Sequence, residues 1–241
     1  KACADLLVTS EQLYLVSNNI EAARLVAEEL SGLELQVLSY NWWDGNGLKN
    51  ALREIAKEAV VVTDIEMGPK FARLRWNLLS EEQERYMDAG RSVAAVLEET
   101  AFSIEPGLTE LQIADLQRAA AIQAGVNPLV NLVAADARAY QYRHPLPTAN
   151  RLRQYCMLVL SGQKHGLYVS ATRLVHFGPV PHELKQRHQA VARVDAAFIS
   201  ATRPGAGLAE VFAAGLKVYD AVGYAEEWRF HHQGGLTGYN S

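Results

Sequence analysis

The sequence predicts a mixed α/β (α+β) protein in two parts, a small α/β unit over residues 1–78 and a larger unit over residues 79–241. Three observations carry this. Short apolar runs of strand length alternate with helix-patterned segments through the first part of the chain. Beyond them, four long helical segments come in two pairs, split by Glu105-Pro106-Gly107 and by Arg203-Pro204-Gly205. Between the pairs lies an apolar hairpin with a histidine at its mouth. A helix–turn–helix unit met twice, about a hundred residues apart, implies internal duplication of the second part.

The elements follow in order. Residues 4–8 and 12–16 read as a strand hairpin. Residues 21–30 carry apolar positions at helical spacing and stop at Gly32. Residues 33–38 alternate apolar and polar, as a half-buried strand does, and residues 50–57 are helical. Ala59-Val60-Val61-Val62-Thr63 reads as a short buried strand of a sheet covered on both faces. The loop holding Trp42 and Trp43 marks a ligand or subunit contact, or else caps the core of its own unit. Ser80 with Gln83 three residues later predicts a helix start. That helix runs to about residue 102. Thr109 caps the next, which Gly125 closes, and residues 129–134 form a strand. Two further helices are expected over residues 182–201 and 208–222.

The segment 143–173 is the centre of the chain. His144-Pro145-Leu146-Pro147 is a turn whose prolines fix φ and remove backbone donors. Residues 156–160 form a buried strand, Gly162 and Gly166 bracket a polar turn, and the returning strand carries Ser170, Thr172 and Arg173.

Composition excludes several classes. With 49% hydrophobic residues among 241 and mean hydropathy near zero, this is the make-up of a globular protein with a full core. No apolar run reaches the length of a membrane span. The net charge of −4, with no basic block, argues against nucleic-acid partners. Cys3 and Cys156 make neither a disulfide framework nor a zinc-ligand pattern, and Cys156 reads as inert core, so a reducing cytoplasmic setting is expected. A chain that begins with Lys1 is expected to lack its native start.

Five stretches, in order, resemble the pita-bread fold family of creatinase, Xaa-Pro aminopeptidase, prolidase and methionine aminopeptidase. Pro106-Gly107-Leu108-Thr109-Glu110 is similar to the family's segment before its second helix. His144-Pro145-Leu146-Pro147-Thr148-Ala149-Asn150-Arg151 is similar to its H-x-x-P-T-x-x-R turn, and Gly166 to Arg173 to its G-Y-x-S-D-x-T-R strand. Arg203-Pro204-Gly205 and His231-His232-Gln233-Gly234-Gly235-Leu236 match its R-P-G turn and its G-H-G-x-G-L motif. The resemblance covers nearly the whole chain. It implies a small creatinase-like N-terminal domain followed by a pita-bread domain, and a homodimer in which the small domain meets the neighbouring subunit's cleft.

The departures set the expected chemistry. Peptidases of this family hold two divalent cations with two Asp, one His and two Glu. Here the second Asp position falls on Ser170. The first falls on Val159, or on Ser161 after a two-residue slip; residues 151–172 contain no Asp or Glu. His232 matches the His ligand, and the glutamates would lie past Ser241, so the domain is expected to be incomplete at its C-terminal end. Neutral hydroxyls are poor partners for hard cations, so the expectation is no metal and no other cofactor. By resemblance to creatinase, His144 and His232 are the expected acid/base residues. Arg173, Ser170 and His231 are the expected substrate contacts, although Arg173 also reads as a structural ion pair. An imidazole has the right pKa for such work near neutrality. The implied activity is metal-independent hydrolysis of a C–N bond in a small amide or guanidino acid. Two alternatives stand beside it: a di-metal Xaa-Pro aminopeptidase or dipeptidase, and a non-catalytic peptidase-like binding protein.

Overall fold

β1 (Ala4–Val8) and β2 (Leu13–Asn18) pair antiparallel, with Ala4 opposite Ser17 and Val8 opposite Leu13. β3 (Gln36–Tyr40) joins β2 in parallel, Tyr14 facing Gln36. A parallel neighbour demands a crossover, and residues 19–35 supply it through α1 (Ala22–Arg24) and a π-helical turn, Leu25–Glu29. Leu15, Val16, Ala22 and Leu25 are the buried residues beneath this crossover. These coordinates are a computed structural model that describes residues 3–234 and 237–239. They divide the chain into two compact units, Lys1–Ala72 and Arg73–Ser241, a boundary slightly before the expected 78/79.

The first unit departs from expectation after α2 (Gly47–Ala56). Residues 59–63 form no strand, and Val60, Val61 and Val62 are 87, 44 and 55% exposed. A β-branched run becomes a strand only where a sheet edge takes its N–H and C=O groups. Instead the chain turns directly into α3 (Asp64–Arg73), two short helical stretches joined by a kink at Gly68 (φ +41°) and not expected from the sequence. The Glu66 carboxylate accepts from the Thr63 N–H at 2.7 Å, and the Glu66 N–H donates to Thr63 Oγ1 at 3.2 Å. That reciprocal cap commits the backbone to helix. Trp42 and Trp43 do not cap the core: they are 61 and 64% exposed and stack edge to face, centroids 5.9 Å apart.

The second unit is a three-stranded antiparallel sheet with two helix pairs. α4 (Ser80–Ser103) is capped at Leu79, one residue before the expected Ser80, because the Glu82 carboxylate takes the Leu79 N–H at 2.7 Å while Gln83 donates instead to the Leu78 carbonyl. α5 (Glu110–Gln123) is capped by Thr109 as expected, in a reciprocal box with Gln112. The sheet runs β4 (Asn127–Ala135), β5 (Tyr155–Lys164), β6 (Leu167–His176), in that order. A short helix, α6 (Ala137–Gln141), follows β4. α7 (His182–Ala201) and α8 (Leu208–Ala221) form the second pair, joined like α4 and α5 through a Pro-Gly turn.

Val93, Leu97 and Ile113 of α4 and α5 pack in one buried cluster with Cys156, Leu158 and Leu160 of β5. Burial pushes the Cys156 thiol up to about 12, so it is core, as expected. The β5–β6 turn consists of His165 and Gly166 alone, at φ +56° and +76°, the two-residue geometry that matches strand twist. Gly162 is therefore not a turn residue. It lies inside β5, where a Cβ would meet Val126 Cγ1 at 2.3 Å and Val93 Cγ2 at 2.9 Å. Gly162→Val should destabilise the unit by about 1–3 kcal/mol through overpacking, measurable as a shift in the urea midpoint with unchanged m-value. Among the described residues, no helix is long and apolar enough to cross a membrane.

Candidate active site

The turn that carries His144 is held by a buried carboxylate. Glu110, the first residue of α5, has a side chain with no exposed surface. It accepts hydrogen bonds from the Ala135 N–H (2.8 Å), the Thr148 N–H (2.9 Å) and hydroxyl (2.7 Å), Asn150 Nδ2 (3.3 Å) and Arg138 Nε (3.0 Å). Burial would raise its pKa, but these donors together hold it below the ordinary carboxylate value. The helix N-terminus favours the same charge. Backbone bonds from Glu110 to Asn150 and from Leu111 to Thr148 stitch residues 148–150 to the start of α5. Asp136 does parallel work just past the same end of β4. Its carboxylate accepts from the backbone N–H groups of Arg153, Gln154 and Tyr155 at 2.8–3.0 Å.

Three imidazoles meet at the end of this turn. His231 Nε2 lies 2.9 Å from His144 Nε2, and the His231 and His232 rings stack with centroids 4.4 Å apart. His144 sits edge-on to His231 at 4.7 Å and tilted to His232 at 5.3 Å. Extended chain would send His231 and His232 to opposite sides. The residues after the 3-10 turn Glu227–Phe230 form bends, not a strand, so both rings reach His144. Two hydrogen bonds fix them: His231 Nδ1 bonds the His232 carbonyl, and His232 Nδ1 bonds the Gly234 carbonyl. A carbonyl only accepts, so both Nδ1 atoms carry the proton and both Nε2 atoms present a lone pair. At the 2.9 Å contact His144 Nε2–H then donates to His231 Nε2. Partial desolvation foremost, then repulsion from any charge on His231 and His232, lowers the His144 pKa from its ordinary 6.5. Gly235 and Leu236, which close the quoted motif, lie outside the described residues.

His231 also lines a cleft of about 580 Å³ between α6, the exposed face of β5–β6, and α7–α8. Tyr140, Tyr155 and Tyr219 give it an aromatic wall, and Arg143 and Arg187 stand on its rim. Arg143 is paired with Glu227 at 2.7 Å and Arg187 with Glu183 at 2.6 Å.

Of the expected site residues, His144, His231 and His232 come together. Arg173 does not join them. It is paired with Leu158, on the helix-covered face of the sheet, and its guanidinium lies 3.6 Å from Glu98 of α4. Side chains alternate along β6, so Arg173 and Ser170 cannot share a face. Ser170 is cross-strand partner to Ser161, their hydroxyls 2.6 Å apart, which favours the slipped position over Val159. Neither serine lines the cleft. His165, in the β5–β6 turn and apart from this cluster, bonds Asp88 at 3.0 Å. His188 of α7, though exposed, also lines the cleft, on the helix face that carries Leu184 and Val191.

The fold is a two-part scaffold of the pita-bread type. Similar structures include X-Pro aminopeptidase from Thermotoga maritima MSB8 (TM-score 0.75, 16% identity, 92% of this chain and 69% of that one). Prolidase from Pyrococcus furiosus aligns with TM-score 0.76 at 16% identity, over 98% of this chain and 74% of that one. Dipeptidase PepE from Mycobacterium ulcerans aligns at 0.71 and 21%, over 98% and 70%. No curated protein gives a significant sequence match. The family model for metallopeptidase family M24 matches residues 84–239, and the chain belongs to that family.

Proposed function

We propose that this protein hydrolyses a C–N bond in a small amide or guanidino acid, with imidazoles, and not a carboxylate-held pair of cations, moving the protons. The observation that carries the reading is the convergence of His144, His231 and His232 beside the cleft. A family-type metal pair fits poorly. At the positions the resemblance gives to aspartates stand Ser161 and Ser170, two neutral hydroxyls bonded to each other, which compensate none of the charge of two hard cations.

The substrate's apolar body would lie against Tyr140, Tyr155 and Tyr219, with its carboxylate near Arg143 or Arg187; these replace Arg173 in that role. Water attacks the carbon of the C–N bond while an imidazole Nε2 takes its proton. The imidazolium then returns that proton to the departing nitrogen, so the products are an amine and an acid or urea. Partial desolvation lowers the pKa of His144 and so favours its neutral form. The exposed Trp42–Trp43 pair supports the homodimer reading, with the pair as a subunit contact.

The test is turnover of a panel of guanidino and amide acids, and of Xaa-Pro dipeptides, by chelator-treated protein. Hydrolysis of a panel member without added metal supports the reading. Activity on Xaa-Pro dipeptides that needs two equivalents of manganese or cobalt overturns it in favour of the di-metal peptidase. No turnover in any condition overturns it in favour of a binding protein.

A further inference from the structure

We propose that His144, His231 and His232 form a site for one transition-metal ion of borderline softness, zinc among them, whose binding would withdraw these rings from proton transfer and which is distinct in ligands and stoichiometry from a carboxylate-bridged pair. The candidate ligand atoms of these three residues all lie within 4.8 Å of one another. Metal–imidazole bonds of 2.0–2.1 Å in tetrahedral geometry separate ligand nitrogens by about 3.4 Å. The 2.9 Å contact between His144 and His231 and the 4.8 Å limit of the set bracket that spacing, and one of the stacked His231 and His232 rings, 27° apart in plane, turns out of the stack for all three to meet one ion.

The protonation pattern agrees with the geometry. His231 and His232 each spend Nδ1–H on a backbone carbonyl, which leaves the His232 Nε2 lone pair free to ligate and that of His231 available once an ion displaces the His144 proton from their 2.9 Å contact. A ring fixed through its other nitrogen by a carbonyl is the usual outer support of a metal-bound histidine. The donor chemistry then selects the ion. Three neutral imidazoles suit zinc, nickel, cobalt and copper and offer nothing to magnesium or calcium. His144 and His232 are exposed, so water or an exogenous ligand would have access to complete the coordination.

This site employs the same rings as the proposed proton transfer, but its test reads binding and needs no turnover. Calorimetric titration of zinc into the chelator-treated full chain should show one equivalent bound with low-micromolar affinity or tighter. Cobalt should give the intense visible bands of a tetrahedral site. His144→Ala, His231→Ala and His232→Ala should each weaken zinc binding by about tenfold or more. His165→Ala, in the β5–β6 turn, should leave it unchanged. Magnesium should not bind. Thermal unfolding of each variant separates lost ligands from lost fold, since exposed ring truncations should shift the midpoint little. No zinc binding, binding that ignores all three variants, or two equivalents of manganese would each overturn the proposal. Zinc binding without turnover in any condition would keep the metal site and remove the hydrolase reading; turnover without zinc binding would do the reverse.

Discussion

Glu110→Ala is expected to destabilise the second unit by about 3–5 kcal/mol, the usual range when one member of a buried charge network is deleted. The carboxylate is fully buried and serves five donors from β4, α6 and the 148–150 turn. Its removal leaves the Ala135 and Thr148 N–H groups without acceptors in a place water does not reach. Glu110→Gln keeps the volume but turns an NH2 towards a ring of donors, and should cost about 1–3 kcal/mol. The pH dependence has a definite sign. The folded-state pKa of Glu110 is depressed, so its contribution is complete above the unfolded value of about 4.5 and is lost as pH falls through the lower folded value. Urea unfolding between pH 7 and 3 should therefore show a steep acid loss in the parent chain and a flatter one in Glu110→Gln. Equal slopes would show that the depressed pKa is not what stabilises this turn.

His144→Ala is expected to lower kcat by about 10²–10⁴-fold, the usual worth of a positioned general acid/base, with KM changed little. The split follows from where the groups lie. The cleft that would bind substrate is lined by Tyr140, Tyr155, Tyr219 and His231, whereas His144 reaches the reaction zone only through its 2.9 Å contact with His231. Ser170→Ala should cost much less, because its hydroxyl bonds Ser161 and lies beyond the cleft lining, farther along the strand face that carries Thr172 and Leu174. Steady-state kinetics of the two variants decide the matter. A collapse of activity in Ser170→Ala comparable to that in His144→Ala would mean that the serine pair, not the imidazoles, is the centre of the site.

Much of the scaffold could be read from the residues because punctuation and periodicity agree there. Thr109 with Gln112 starts α5, and the Pro-Gly turns separate both helix pairs. The segment 59–63 was misread because an apolar β-branched run says nothing about whether a sheet edge exists to receive it. The better local cue was Thr63-x-x-Glu66, a capping signature just downstream. Gly162 and Gly166 look alike in sequence, yet one answers a close helix approach and the other a positive φ. Only tertiary packing separates them. Arg173 was decidable from sequence alone: an odd offset from Ser170 on one strand puts the two on opposite faces. His231 was not, because the alternation rule presumes a strand where the chain in fact bends. The anchoring carboxylates Glu110 and Asp136 carry no local signature of burial, since their donors arrive from residues far along the chain.

The central claim is that three imidazoles converge, with His231 and His232 both protonated on Nδ1 and His144 donating its Nε2–H to His231. Long-range proton–nitrogen correlation spectra of the histidine rings, taken on chelator-treated protein above neutral pH, read those tautomers directly. The account predicts Nδ1–H forms for His231 and His232, and a His231 Nε2 resonance that moves when His144 is replaced by alanine. Nε2–H forms at both residues, with no response to His144→Ala, would contradict it.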